Sequence, residues 1–194
     1  MTKLYVFRGL QGSGKSTQAR ELQADLLSNG VQALKIERDE IRMEILGSYW
    51  TGIWEDEKKV TEVQHERIST LLKLGVNVIS SDTNLRDKDV QSLMELAHNA
   101  GAEVRFLDLR ETPLEVCIQR DAARVRTVGE DVIRDKHLRF IKGRKLEDLV
   151  YKPKMKKNVE DIDFDLVEPY AKPEGGRRTI LLDIDGTVAN HEGV

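Results

Sequence analysis

From residue 4 to residue 109 the chain alternates short apolar runs with longer stretches in which apolar positions recur every three or four residues. The runs at 4–7, 33–36, 76–81 and 104–109 have the length of buried strands. The intervening stretches, 15–28, a helical pattern from about 39, 55–75 and 88–100, predict amphipathic helices. Strand and helix in alternation predict an α/β fold on a parallel sheet, because parallel neighbours need a crossover between them.

From Pro113 the pattern is wholly helical, with the proline suited to a first helical turn and a second helix predicted at 130–141. The two are separated near 127–129, so a helical hairpin follows the sheet as a lid. Between Arg120 and Lys145 nine Lys/Arg face four Asp/Glu, a local excess of five positive charges. After residue 150 the periodicity fails, and 151–178 reads as a linker that is basic, then acidic, then rich in Pro and Gly. A last apolar run at 180–184 predicts one more strand, followed by Asp185-Gly186-Thr187.

Bulk properties narrow the picture only slightly. A length of 194 residues fits one main domain with a short remainder, here residues 1–150 and 179–194, and a net charge of -3 leaves partners to be read locally. The single cysteine, Cys117, excludes an internal disulfide framework. The opening run is too short for a membrane span and lacks a secretory cleavage pattern. The expectation is therefore a cytoplasmic protein without membrane association.

The clearest chemistry lies between the first strand and the first helix. Gly9-Leu10-Gln11-Gly12-Ser13-Gly14-Lys15-Ser16 fits G-x-x-x-x-G-K-[ST], and Thr17 follows. Gly9, Gly12 and Gly14 let the backbone curl so that its amides, that of Ser13 among them, point inward, and the helix start adds positive dipole. Lys15 would reach the β- and γ-phosphates of ATP, Ser16 would ligate Mg²⁺, and Thr17 is a weaker candidate for the α-phosphate.

On an open parallel sheet, ligands gather beyond the carboxyl ends of the strands. After the second run comes Arg38-Asp39-Glu40-Ile41-Arg42, with Asp39 at a helix start and Arg42 a turn later on the same face. Asp39 could take the proton of an attacking hydroxyl and Arg42 could grip an acidic acceptor, or the pair could be a cap and a surface residue. After the third run, Ser81-Asp82-Thr83-Asn84 puts Asp82 where it could order Ser16, a Mg²⁺ water or Arg42, with Thr83 and Asn84 beside it. The alternative is a turn satisfied by its own side chains. Arg120 and Arg124 are spaced i, i+4 and Arg126 follows, a set that could close over the donor. Tyr49, Trp50 and Trp54 form the one aromatic cluster, with packing expected ahead of base stacking.

Taken together, GLQGSGKST at 9–17, RDEIR at 38–42, SDTNL at 81–85 and the arginine-rich helix at 120–126 resemble the phage-type 5′-hydroxyl polynucleotide kinases. The final ILLDIDGT resembles the start of their haloacid-dehalogenase-like phosphatase domain. The resemblance implies a P-loop NTPase-type kinase that moves the γ-phosphate of ATP, with Mg²⁺, to the 5′-OH of DNA or RNA. It gives Asp39 the general-base role, Arg42 the acceptor's 3′-phosphate and Arg124 the lid position, with Arg120 and Arg126 close enough to confuse that alignment. Asp183 and Asp185 match the paired aspartates of the phosphatase. The remaining phosphatase groups do not follow, so no 3′-phosphatase activity is expected, and the expectation is a kinase domain cut from a longer protein or naturally split. Homo-oligomerisation and coupling to a nucleic-acid ligase are left open. Rival readings are a small-molecule kinase of nucleoside, sugar-acid or shikimate type, and a nucleotide-gated binding module.

Overall fold

The computed structural model describes residues 1–146 and 149–153 in full, and the backbone of 181–184 and 187–190. Met1–Pro153 and Lys154–Val194 are separate compact units. In the first, strands β1 (Lys3–Arg8), β2 (Ala33–Lys35), β3 (Asn77–Ser80) and β4 (Glu103–Asp108) form a parallel sheet in the order β2-β3-β1-β4. Helices α1 (Lys15–Ser28), α2 (Arg38–Leu46), α3 (Trp54–Lys73) and α4 (Asp87–Asn99) connect the strands, and α5 (Leu114–Ala122) and α6 (Glu130–Phe140) follow β4. The predicted alternation is therefore what forms, with boundaries displaced by a residue or two.

Alternation along β1 divides the core. Leu4 and Val6 face Ile68 and Leu72 of α3 and Leu93 and Ala97 of α4, whereas Phe7 faces Ala19 of α1 together with Ile79 and Ala33. A third cluster joins Leu10 of the glycine turn to Leu85, Cys117 of α5, Ile133 of α6 and Ile141. Burial of each large apolar side chain there stabilises by about 1.5–3 kcal/mol, so the helical hairpin is seated on the turn by its own core.

Pro113 stands one position earlier than the sequence predicts. With φ -54 and ψ 135 it is the N-cap of α5, and its carbonyl accepts the first helical bond from the Cys117 amide at 3.1 Å. The fixed φ of proline suits either position, and here ψ is extended. Buried Asp121 at the end of α5 accepts the amides of Val128 and Gly129 at 2.8 and 3.1 Å, which fixes the turn into α6.

In the second unit, β5 (Leu181–Ile184) and β6 (Thr187–Asn190) pair antiparallel. The second strand of that pair was not expected. Asp183 lies on β5, while Asp185 and the linker positions 154–178 are outside the described residues. Among the described residues no helix is long and apolar enough to cross a membrane.

Candidate active site

β1 runs straight into the turn at residues 9–14, and α1 starts at Lys15. Gly12 and Gly14 have φ of 78° and 103°, a region that side-chain-bearing residues avoid. At Gly12 an added Cβ would lie 2.1 Å from the carbonyl oxygen of Cys117, so the turn can press on α5 only without a side chain. The Gly9 amide donates to the Thr83 carbonyl at 3.0 Å, which ties the turn to the segment after β3. Buried Ser13 donates its amide to Leu10 at 3.2 Å, and Ser16 and Thr17 stand exposed on the first turn of α1.

Lys15 is curled into this turn. Its ammonium donates to the carbonyls of Gly9 and Leu10 at 2.9 and 2.6 Å and to Ser13 Oγ at 3.4 Å, and the residue is 7% exposed. Burial, helped by the charge of Arg124, pushes its pKa down to about 8, against the opposing influence of Cys117 and Asp82. Oxygen acceptors hold the charged form in place below that pH.

The second group assembles where α2 begins. Asp39 accepts from Arg42 Nη1 at 2.6 Å and from Arg126 Nη2 at 2.8 Å. Arg42 is in turn gripped from behind: its Nε and Nη2 donate to the two oxygens of Glu57 on α3, at 2.6 and 2.8 Å. Arg38 donates to the same carboxylate at 2.8 Å and to Thr61 Oγ1 at 2.7 Å. Hydrogen bonding from Arg42, then from Arg38, holds the Glu57 carboxyl down at about 2 against burial, so it stays anionic across the physiological range. One carboxylate thus orients two arginines.

Asp82 is used differently from the sequence expectation. Its Oδ1 accepts the backbone amide of Arg38 at 3.1 Å, and its Oδ2 accepts from Gln64 Nε2 at 2.5 Å. It therefore anchors an orphan amide at the start of α2, and burial raises its pKa to about 6 against those two bonds. Its charge still bears on Lys15 and Arg42. Thr83 contributes its carbonyl to Gly9, as above. Asn84, with φ 44°, is turned inward, donating to the Phe7 carbonyl at 2.8 Å and to Ser80 Oγ at 3.3 Å. Instead of facing an acceptor, Asn84 staples β1 to β3, because strand carbonyls at the end of a short sheet need a donor.

The three arginines of the lid region diverge. Arg120 lies beside Gly14, its Nη1 3.8 Å from where a Cβ would stand. Arg124 is 3.9 Å from Asp121 and close enough for its charge to depress Lys15. Arg126 crosses to the start of α2, where besides bonding Asp39 it lies 3.4 Å above the Tyr49 ring centre. Sequence reasoning missed Glu57 altogether. It also missed Lys136, half-buried one turn beyond buried Ile133 on α6. Burial and the charge of Arg42 push the Lys136 pKa down, against Asp39 and Asp135, so this ammonium faces the same group. Its spacing from Ile133 was the available signal.

A parallel sheet with a glycine turn opening onto α1, an aspartate–arginine pair at the start of α2, and a helical hairpin after the last strand is the P-loop kinase fold. The chain belongs to the AAA domain family, which it matches over residues 4–146. Among individual proteins it is 26% identical to one from Autographa californica nuclear polyhedrosis virus described as a bifunctional polynucleotide kinase/RNA ligase, with 96% of this chain and 25% of that one covered. It is 31% identical over 119 residues to an adenylyl-sulfate kinase of Buchnera aphidicola subsp. Acyrthosiphon pisum, covering 59% of this chain and 54% of the relative. The chain therefore spans a quarter of the first relative's length and about half of the second's. Among solved structures it is similar to the Pnkp1/Rnl/Hen1 RNA repair complex (TM-score 0.56, 23% identity, 72% of this chain and 44% of that one). It is likewise similar to the Mycobacterium tuberculosis APS kinase CysC in complex with AMPPNP and APS (TM-score 0.54, 24% identity, 63% and 69%).

Proposed function

We propose that residues 1–150 form a 5′-hydroxyl polynucleotide kinase domain, which transfers the γ-phosphate of ATP to the 5′ end of DNA or RNA. The observation that carries this reading is the Asp39–Arg42 pair at 2.6 Å, with Arg42 fixed on Glu57. A base locked beside an oriented guanidinium suits a hydroxyl on a molecule that carries its own phosphate, as a polynucleotide 5′ end does. The viral polynucleotide kinase/RNA ligase relative, aligned over nearly the whole chain, supports the same acceptor.

In the proposed reaction the amides of the glycine turn and Lys15 hold the triphosphate, and Ser16, exposed at the start of α1, fits the role of a Mg²⁺ ligand beside the phosphate oxygens. Bound Mg²⁺ would neutralise phosphate charge. Asp39 takes the proton of the 5′-OH as its oxygen bonds to the γ-phosphorus and the bond to the β–γ bridging oxygen breaks, releasing ADP. Arg42, with Arg126 beside it on Asp39, grips the acceptor phosphate, while Arg124 and Lys136 bring positive charge over the transferring group. Asp183 and Asp185 belong, on this reading, to the start of a phosphatase unit. The rest of a longer repair protein, with ligase coupling, falls within the same proposal.

The test is transfer of label from γ-labelled ATP to a 5′-OH oligonucleotide, to a 3′-nucleoside monophosphate and to adenylyl sulfate. Label on the first two supports the proposal. ATP binding without transfer to any 5′-OH acceptor sinks it, and label on adenylyl sulfate alone establishes the small-molecule reading that the Buchnera relative favours.

Nucleotide binding should also take up a proton. The depressed pKa of Lys15 leaves most molecules with a neutral amine at pH 8.5, and a triphosphate beside it favours the ammonium, raising the pKa. Calorimetry in buffers of different ionisation enthalpy should register about half a proton or more taken up per ATP at pH 8.5 and little at pH 7. Lys15→Arg, charged throughout, should show no such dependence. Equal uptake in the two proteins would contradict the assignment.

A further inference from the structure

Of the two tryptophans of the chain, Trp50 lies in the connection between α2 and α3 and Trp54 is the first residue of α3. Packing was the leading expectation for them, but they are 67% and 70% exposed, and Ile53 between them is also exposed. Large aromatic faces left in water next to a polar site mark a place where something apolar and flat is received.

The position of the patch says what that is. Trp54 stands one helical turn before Glu57 on the same side of α3, so it borders the carboxylate that fixes Arg42. Tyr49, three residues past the end of α2, carries the Arg126 guanidinium that reaches Asp39. The Lys58 ammonium is 5.9 Å from the Trp54 ring. Cations therefore edge the aromatic faces. Of the acids nearby, Glu57 is covered by two arginines, Asp56 lies 3.9 Å from Lys59, Glu62 lies 3.9 Å from Lys58 and Asp39 holds Arg126 at 2.8 Å. Local hydrogen bonds define the loop, with Ser48 Oγ donating to the Trp50 carbonyl at 3.0 Å and the Ile53 amide to Thr51 Oγ1 at 3.3 Å.

We infer that Trp50 and Trp54 are a stacking platform for unpaired bases downstream of the acceptor's 5′ nucleotide. Alternating aromatic faces and cations are what a single strand needs: bases find π-surfaces irrespective of sequence, and the backbone finds positive charge. This inference rests on the polynucleotide kinase reading and gives it a substrate form, a single-stranded 5′ end of more than one nucleotide.

The experiment compares initial rates of wild type, Trp50→Ala, Trp54→Ala and the double variant on two acceptors, a 3′-nucleoside monophosphate and a short single-stranded 5′-OH oligonucleotide. Both side chains are exposed, so the variants should fold. The expected result is a KM for the oligonucleotide raised about five- to a hundred-fold, with kcat and all parameters for the mononucleotide unchanged. Because both tryptophans lie in the patch, intrinsic emission should be quenched on titrating the oligonucleotide and unaffected by the mononucleotide. An unchanged oligonucleotide KM with normal transfer overturns the platform and leaves the kinase reading intact. Emission that changes with protein concentration or with anionic phosphatidylserine vesicles but not with oligonucleotide assigns the patch to self-association or a lipid surface, and also overturns it. No transfer by wild type to either acceptor sinks the kinase reading and the platform together.

Discussion

Asp39→Asn should reduce kcat for transfer to a 5′-OH acceptor by between about a hundred-fold and ten-thousand-fold, the range of general-base catalysis by a positioned group. ATP affinity should stay within about two-fold, because Asp39 contacts Arg42 and Arg126 rather than the glycine turn. Stability should hardly change, since the carboxylate is 54% exposed and its ion pairs are screened. The measurements are steady-state rates with labelled ATP, titration of ATP by calorimetry, and a thermal melt. A binding module would survive this substitution with its function intact. Full transfer by the Asn variant would remove Asp39 from the mechanism.

Gly12→Ala should be the most damaging added methyl among the described glycines. The position has a φ of 78°, and the new Cβ would meet the Cys117 carbonyl oxygen at 2.1 Å and its Cα at 2.9 Å, backbone atoms that cannot swing aside. Overpacking and left-handed strain together should cost about 3 kcal/mol or more, a fall of roughly 10 °C in Tm for a domain of this size. ATP binding should be lost as well, since relief requires the turn to back away from α5 and lose its curl. Gly30→Ala is the control. With φ of 74° and open space around its Cβ, it carries the strain without the collision and should lose about 1 kcal/mol while binding ATP normally. Equal losses in the two variants would show that the contact with α5 is unimportant.

The sheet and its helices were legible because apolar period separates strands of three to six residues from helices of nine or more, and each strand end delivers its next residues to one edge. That is how the sequence puts Lys15, Asp39 and Asp82 at that one edge. The pairings across it were not legible. Nothing in the spacing says that Glu57, fifteen positions after Arg42, returns on α3 to clasp it, since that depends on how α2 and α3 pack. Arg126 looked like a donor-side residue because it follows Arg120 and Arg124, yet it lies just beyond α5, where the chain turns, and points elsewhere. Asn84 looked available because polar residues after a strand often are. In this turn its amide had a strand carbonyl to satisfy.

The clasp of Glu57 on Arg38 and Arg42 also bears on how such a motif could be moved between proteins. Five residues, Arg38 to Arg42, look like a portable cassette, but their two guanidiniums are aimed by a side chain from another helix. Grafting that pentapeptide onto a different nucleotide-binding scaffold would import the charges without their aim. The smallest unit that can be exchanged includes the opening turn of α3.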